Sequence, residues 1–286
     1  MSLVFDLLGY RRRWRLLEQL RTPYVSETAP IVVGGCGSSG TTLLRRMLDR
    51  HPAVCCGPES TVFLERVSGP EELASRLGFR ADQIEGWQCA SRSQAEFIDR
   101  FQSASLARSG KRVWADKTPE NVRRFAFVRR HFPKARLIHM IRDGRDVACS
   151  LRSQGWMKVR HRTPSDAAAR CAAYWVERVS AGRASRSDPG YIEIRYEQLV
   201  RDPEPTLRRL LGFLGLEWSD RVLVHDSNVT HPAAGPAFTT SIGRWRREFT
   251  ARDCEMVEAV AGDLLTELGY DQDVSFPQPR VEPLRA

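Results

Sequence analysis

Apolar positions along this chain follow two rhythms. Short β-branched or mixed apolar runs have the length and composition of strands: Ile31-Val32-Val33, Val54-Cys55-Cys56, Val113–Asp116, Arg136–Ile141 (RLIHMI) and the alternating Tyr191–Arg195 (YIEIR). Between them, apolar residues recur at helical spacing. Leu43, Leu44, Met47 and Leu48 predict a helix directly after the first strand, and Val147, Ala148 and Leu151 predict another after Ile141. Further helices are predicted over Ala95–Ala107, Ser165–Ser185, Glu204–Leu214 with its stop at Gly215, and Ala251–Leu268. Thr118 has the chemistry of a helix cap and Pro119 that of a first helical residue, so a helix is expected from there to about His131. Residues 68–93 have weak periodicity and read as irregular helices with loops; 226–242, with Pro232, Gly235 and Pro236, read as loop. Strands alternating with helices imply a parallel sheet with right-handed crossovers. The expected fold is α/β, a P-loop-like three-layer arrangement with a central parallel sheet flanked by helices. Ligands of such sheets collect beyond the carboxyl ends of the strands, so the loops after Val33, Asp116, Ile141 and Arg195 should converge.

The first of those loops carries the strongest local signal. Ile31–Leu44 reads IVVGGCGSSGTTLL: strand, glycine-rich turn, helix start. Glycines let successive N–H groups face one point, and a helix N-terminus adds its positive end, which together make an anion cradle. The spacing Gly35-x-x-x-x-Gly40-Thr41-Thr42 matches a phosphate-binding P-loop, except that Thr41 stands where the lysine belongs. No run of four apolar residues ending in an acid accompanies it. The cradle suits a phosphate-like anion without the usual ATP or GTP chemistry.

Charge and cysteine content narrow the setting. The 286 residues carry 44 Lys and Arg against 35 Asp and Glu, a net +9 that favours anionic ligands without choosing among them. Seven scattered cysteines with no C-x-x-C pair signal neither a zinc site nor a disulfide framework, and a reduced cytoplasm is the simplest setting. Residues 2–21, SLVFDLLGYRRRWRLLEQLR, place their arginines after the apolar start, the wrong layout for a signal peptide. They read first as a basic amphipathic helix packed on the core or on a second subunit, with peripheral membrane docking as the alternative. The chain thus divides into a helical extension (1–28), a main α/β domain (29–272) and a Pro-containing tail (273–286).

A second anion site follows the fourth strand. In Arg142-Asp143-Gly144-Arg145-Asp146-Val147-Ala148-Cys149-Ser150, Arg142 lies at the strand end and Ser150 two helical turns on, on nearly the same face. A guanidinium and a hydroxyl so arranged suit a second phosphate. Alone, such a turn is more often a salt-bridged corner; beside a lysine-free P-loop it becomes specific.

GCGSSGTTLLRRMLDRHP, GPEST, LIHMIRDGRDVACS and IGRWRREF together resemble the sulfotransferases that use 3′-phosphoadenosine 5′-phosphosulfate (PAPS), over about residues 30–270. The likeness is to the branch containing tyrosylprotein sulfotransferases and bacterial relatives. It implies that Gly37, Ser38, Ser39, Gly40, Thr41 and Thr42 hold the 5′-phosphosulfate. It places Arg142 and Ser150 on the 3′-phosphate, with Ser241, Gly243 and Arg244 closing over the nucleotide, Trp245 packing nearby and Tyr196 beside it. Glu59 matches the general base and Lys117 the cation at the donor's bridging oxygen. Transfer is then in line, from PAPS to a hydroxyl or amine, and lysine and arginine do the work of a metal.

Two matters stay open in the sequence. Tyrosylprotein enzymes carry an arginine where Ser38 stands, so that contact is either missing here or supplied by another residue, Arg45 among the candidates. His51 competes with Glu59 as base, although its place at the LDRHP helix end reads as structural. The Arg- and Ala-rich composition points to a small-molecule, glycan or lipid acceptor over a protein; Trp87, Trp156 and Met157 are candidates to flank it. A homodimer is compatible with the sequence. The rival readings are a nucleotide-dependent kinase, which the missing lysine opposes, and a non-catalytic anion or nucleic-acid binder, which the scattered arginines without aromatic platforms oppose.

Overall fold

A computed structural model describes Trp14 and residues 24–155, 164–223 and 241–270. Five strands form the sheet: β1 (Ile31–Gly35), β2 (Val54–Cys55), β3 (Val113–Lys117), β4 (Arg136–Ile141) and β5 (Tyr191–Arg195). Their order is β2-β3-β1-β4-β5 and every pairing is parallel. The helices are α1 (Thr41–Arg50), α2 (Pro70–Leu77), α3 (Ala81–Ala90), α4 (Gln94–Ser109), α5 (Phe125–His131), α6 (Gly144–Ser153), α7 (Pro164–Arg183), α8 (Tyr196–Arg201), α9 (Pro203–Leu214), α10 (Trp245–Glu248) and α11 (Ala251–Glu267).

Successive strand residues serve opposite faces, as the pleat requires. Ile31 and Val33 of β1, with Ile138 and Met140 of β4, pack against Leu44 and Met47 of α1 and Leu207 and Leu210 of α9. Val32 and Leu137 point the other way, into an aromatic cluster of Phe63, Phe97, Phe101, Trp114, Phe125 and Phe132. Ile141 joins a third cluster with Val147 of α6, Trp175 of α7 and Leu265 of α11. Both faces of the sheet are therefore covered, which is why these strands read as apolar runs. Register puts Val33 beside Lys117 and beside Ile138, and Ile141 beside Arg195. The four predicted loops accordingly leave one edge of the sheet.

Two sequence expectations are corrected. Residues 70–90 hold two regular helices, α2 and α3, whose buried positions are only Leu73, Leu77, Ile84 and Gln88; so few inward residues leave a weak period. After Thr118 comes a 3₁₀ segment, Pro119–Arg124, before α5, and the Thr118 side chain caps nothing there. Tyr196 opens a further helix, α8, directly after β5. Of the N-terminal extension, Trp14 is described, and it is a core residue. It is 4% exposed, stacks on Phe97 at 5.7 Å and donates from Nε1 to the Ser91 carbonyl at 3.2 Å. That placement favours packing on the core over membrane docking for this part of the segment. Residues 1–13 and 15–23 of the extension, Trp156, Met157, residues 224–240 and the tail beyond Tyr270 lie outside the described residues.

Candidate active site

The glycine-rich turn has the backbone its sequence predicts. Gly40 has φ 90° and an added Cβ would lie 2.4 Å from the Tyr196 ring, so only glycine admits both the turn and that close approach. Ser38, at φ 66°, takes the left-handed region without being glycine. Helix α1 starts at Thr41 with no side-chain cap and no acid in its first turn, leaving its positive end to an external anion. The Ser39 hydroxyl is fully buried there yet has no hydrogen-bond partner. An orphaned buried donor in a cradle of this shape fits the phosphosulfate group that the sequence resemblance implies.

Lys117, the last residue of β3, reaches the same turn. Its Nζ donates to Thr42 Oγ1 at 3.2 Å and to Glu59 Oε1 at 2.5 Å. The ammonium is 3% exposed and the carboxylate 41%. Lys117 thus stands between the start of α1 and a carboxylate that opens to solvent, and three segments far apart in sequence meet at one atom.

The turn after β4 is in part a salt-bridged corner. Asp143 caps α6 by accepting from the Arg145 N–H at 2.9 Å, and its carboxylate also pairs with the Arg145 guanidinium at 2.8 Å. Arg142 points elsewhere. It donates to the Ser38 carbonyl at 3.0 Å and the Ser241 carbonyl at 2.5 Å, and lies 4.5 Å from the Tyr196 ring centroid. Burial raises the Tyr196 hydroxyl above its usual range, against the Arg142 charge and a hydrogen bond with Ser241. Ser150 is buried and its hydroxyl accepts from Gln154 Nε2 at 2.9 Å; the same amide lies 3.5 Å from Ser38 Oγ.

The late segment folds back onto α6. Asp146, fully buried, accepts the Gly243 N–H at 2.8 Å and the Trp245 N–H at 3.1 Å, and lies 3.9 Å from Arg142. Burial, then the neighbouring Asp143, push its carboxyl above the usual range. Arg244 donates to Ser153 Oγ at 3.1 Å and pairs with Glu248, while Trp245 lies between the guanidinium groups of Arg145 and Arg246. Ser241, Gly243 and Arg244 therefore sit against Arg142 and the Ser150 end of α6.

A family model described as "Sulfotransferase family" matches residues 30–220, which contain all of this site except the 241–248 segment. The chain belongs to the sulfotransferase family. It is 28% identical over 294 residues to protein-tyrosine sulfotransferase 1 of Danio rerio, covering 93% of this chain and 80% of that one. It is 29% identical over 278 residues to protein-tyrosine sulfotransferase 2 of Gallus gallus, covering 89% and 72%. Among solved structures, the sulfotransferase domain of a Synechococcus olefin synthase superposes with a TM-score of 0.62 at 19% identity, over 84% of this chain and 97% of that one. A mouse sulfotransferase complexed with PAP superposes at 0.55 and 17% identity, over 92% and 90%. These structural likenesses share the fold described above.

Within this sulfotransferase the competing candidates separate. His51 is buried with both ring nitrogens engaged: Nδ1 accepts from the Ala53 N–H at 3.1 Å and Nε2 donates to the Glu217 carbonyl at 2.9 Å. It has a structural place and no free nitrogen. Arg45 donates to the Cys56 carbonyl at 3.0 Å, so its guanidinium braces the strand before Glu59 instead of standing in for an arginine at Ser38. Trp87 meets Phe79 and Phe101 edge-on at 5.2 and 6.3 Å, as part of an aromatic cluster. Sequence reasoning passed over Asp116, Asp146 and Gln154. Asp116 and Asp146 adjoin motif residues, but what they touch is set by long-range folding.

Proposed function

We propose that this sulfotransferase moves the sulfuryl group of PAPS to the tyrosyl hydroxyl of a polypeptide, with Glu59 as general base. The observation that carries the reading is Lys117, whose ammonium joins Thr42 of the phosphate turn to Glu59. The turn from Gly37 to Thr42 would hold the 5′-phosphosulfate, and Arg142, Ser150 and Arg244 the 3′-phosphate, with Tyr196, Ser241 and Gly243 completing the wall. Glu59 takes the acceptor proton. The acceptor oxygen forms the new bond to sulfur as the bond from sulfur to the bridging phosphate oxygen breaks, its electron pair staying on 3′-phosphoadenosine 5′-phosphate (PAP). Lys117 stabilises the charge that gathers on that oxygen. Glu59 and Lys117 hold each other until both substrates exchange that pair for two new ones.

Three things favour a polypeptide over the small-molecule, glycan or lipid acceptor that composition alone pointed to. The relatives named above are protein-tyrosine sulfotransferases along most of this chain. Glu59 is 41% exposed, so it serves a side chain presented from solvent better than a molecule engulfed in a closed pocket. The net charge of +9 also suits an acidic polypeptide.

The test is transfer of label from ³⁵S-PAPS to a random Glu–Tyr copolymer, beside glycan and lipid extracts. Label should enter the copolymer, and Glu59→Gln should abolish transfer with PAP affinity within about twofold, since the base acts only as the hydroxyl is attacked. Label confined to glycans or lipids sinks the acceptor assignment, and transfer surviving in Glu59→Gln sinks the base. Tighter binding of MgATP than of PAP sinks the donor.

A further inference from the structure

Glu59 and Lys117 belong to different loops, and one buried carboxylate joins the two. Asp116 is 2% exposed. Its Oδ1 accepts from the Ser60 hydroxyl and, at 3.3 Å, from the Ser60 N–H. Its Oδ2 accepts from Asn121 Nδ2 at 2.7 Å, and that amide also donates to the Val33 carbonyl at 3.2 Å. On the other side of Lys117, Thr118 accepts the Thr61 N–H on its hydroxyl at 3.4 Å and donates its own N–H to Val33 at 3.3 Å. The two neighbours of Lys117 thus grip the two residues that follow Glu59. Both also connect, directly or through Asn121, to the strand end that opens the phosphate turn.

The gripped loop is not relaxed. Thr61 has φ 56°, an uncommon and costly conformation for a β-branched residue. It is held there from several sides: the Thr118 hydroxyl on its N–H, the Leu64 N–H on its carbonyl at 3.0 Å and the Ser68 N–H on its hydroxyl at 3.3 Å. A buried carboxylate is an expensive way to join loops that apolar packing would join more cheaply, and its benefit lies in direction. It accepts bonds from defined angles and leaves the preceding residue, Glu59, one orientation relative to Lys117.

The geometry points to Asp116 as a positioning residue for the transfer step: through Ser60 it fixes where Glu59 stands relative to Lys117 and the phosphate turn. This rests on Glu59 being the base. Asp116 itself faces Ser60, Asn121 and Thr118.

Ser60→Ala removes the hydroxyl that Asp116 grips and leaves the nucleotide side untouched. With ³⁵S-PAPS and the Glu–Tyr copolymer, kcat should fall about tenfold to a hundredfold, the cost of a misplacement on the order of 1 Å. PAP affinity and the KM for PAPS should stay within about twofold, and Ser60→Thr, which keeps the hydroxyl, should recover most of the rate. Asp116→Asn, which still accepts at Oδ1, repeats the measurement with a smaller expected loss should Ser60→Ala fold poorly. Wild-type kcat in either variant overturns the inference. So does a loss shared equally by kcat and PAP affinity, which is what general loosening would give. Should Glu59→Gln remain active, the base assignment fails by itself; should Glu59→Gln be dead and Ser60→Ala run at the wild-type rate, only the positioning role fails.

Discussion

Replacing Arg142 by alanine separates the two jobs its guanidinium holds. It donates to the carbonyls of Ser38 and Ser241, and so supports the phosphate turn and the late segment at once. Its Nε is buried without a partner, so part of its hydrogen-bonding capacity is uncommitted. If that capacity meets a 3′-phosphate, losing it removes a hydrogen bond to a charged group, worth about 1.5–3 kcal/mol, or roughly 10- to 150-fold in Kd. Losing support of the turn would weaken any 5′-phosphorylated adenosine. Calorimetry with PAP and with adenosine 5′-phosphate divides the two: the fall common to both nucleotides measures support, and the extra fall for PAP measures the 3′-phosphate contact. Arg142→Lys keeps the charge but loses the planar fork, and should lie between wild type and alanine for PAP alone. Equal falls for both nucleotides in Arg142→Ala would refute the 3′-phosphate assignment and leave Arg142 a brace.

His139 should make the fold acid-sensitive. It lies buried in β4 with Nδ1 donating to the Tyr191 hydroxyl at 2.7 Å and Nε2 unpartnered, and burial, then the charges of Arg183 and Arg195, depress its pKa from 6.5 to about 3. The unfolded chain binds a proton below about pH 6.5 that the native state refuses until about pH 3, so stability is complete above 6.5 and falls as pH drops, by about 2 kcal/mol at pH 5. Urea titrations at pH 7 and pH 5 should show that loss in wild type but not in His139→Gln; parallel losses would remove His139 as the cause. Trp14→Ala should cost about 3–5 kcal/mol, the usual range for emptying a buried aromatic site. A cost under about 1 kcal/mol by the same titration would mean the ring does not belong to the core.

What the sequence disclosed, it disclosed locally. The turn from Gly34 to Thr42 depends on its own backbone, so glycine spacing sufficed to read it. The β-branched runs depend on burial on both faces, so the strands could be read too, and with parallel pairing their loops had to share one edge. Failures came where a residue's meaning lies in a distant partner. Asp116 looks like the polar end of a strand until Ser60, 56 residues earlier, is found on its carboxylate. Asp146 looks like one more acid in a helix start until Gly243 and Trp245 fold back to donate to it. Arg45 looks like a free cation beside the turn until the Cys56 carbonyl claims it. Thr118-Pro119 has the chemistry of a helix cap, but its hydroxyl is drawn to Thr61 and the backbone winds into a 3₁₀ turn instead.

The same distant partners bear on how the site binds. Three of the groups expected to meet an anion or a proton already have an internal partner: Lys117 has Glu59, Arg142 has two carbonyls, and Ser150 has Gln154. Donor binding is therefore an exchange of partners, and its free energy is a difference between bonds gained and bonds surrendered. A polar group with nothing to surrender contributes its full gain, and the buried Ser39 hydroxyl is such a group. Nucleotide affinity should accordingly be more sensitive to Ser39, relative to the strength of its single bond, than to the charged residues around it. The charged residues should show their weight in the ratio between nucleotides and in turnover, where the surrendered bonds cancel.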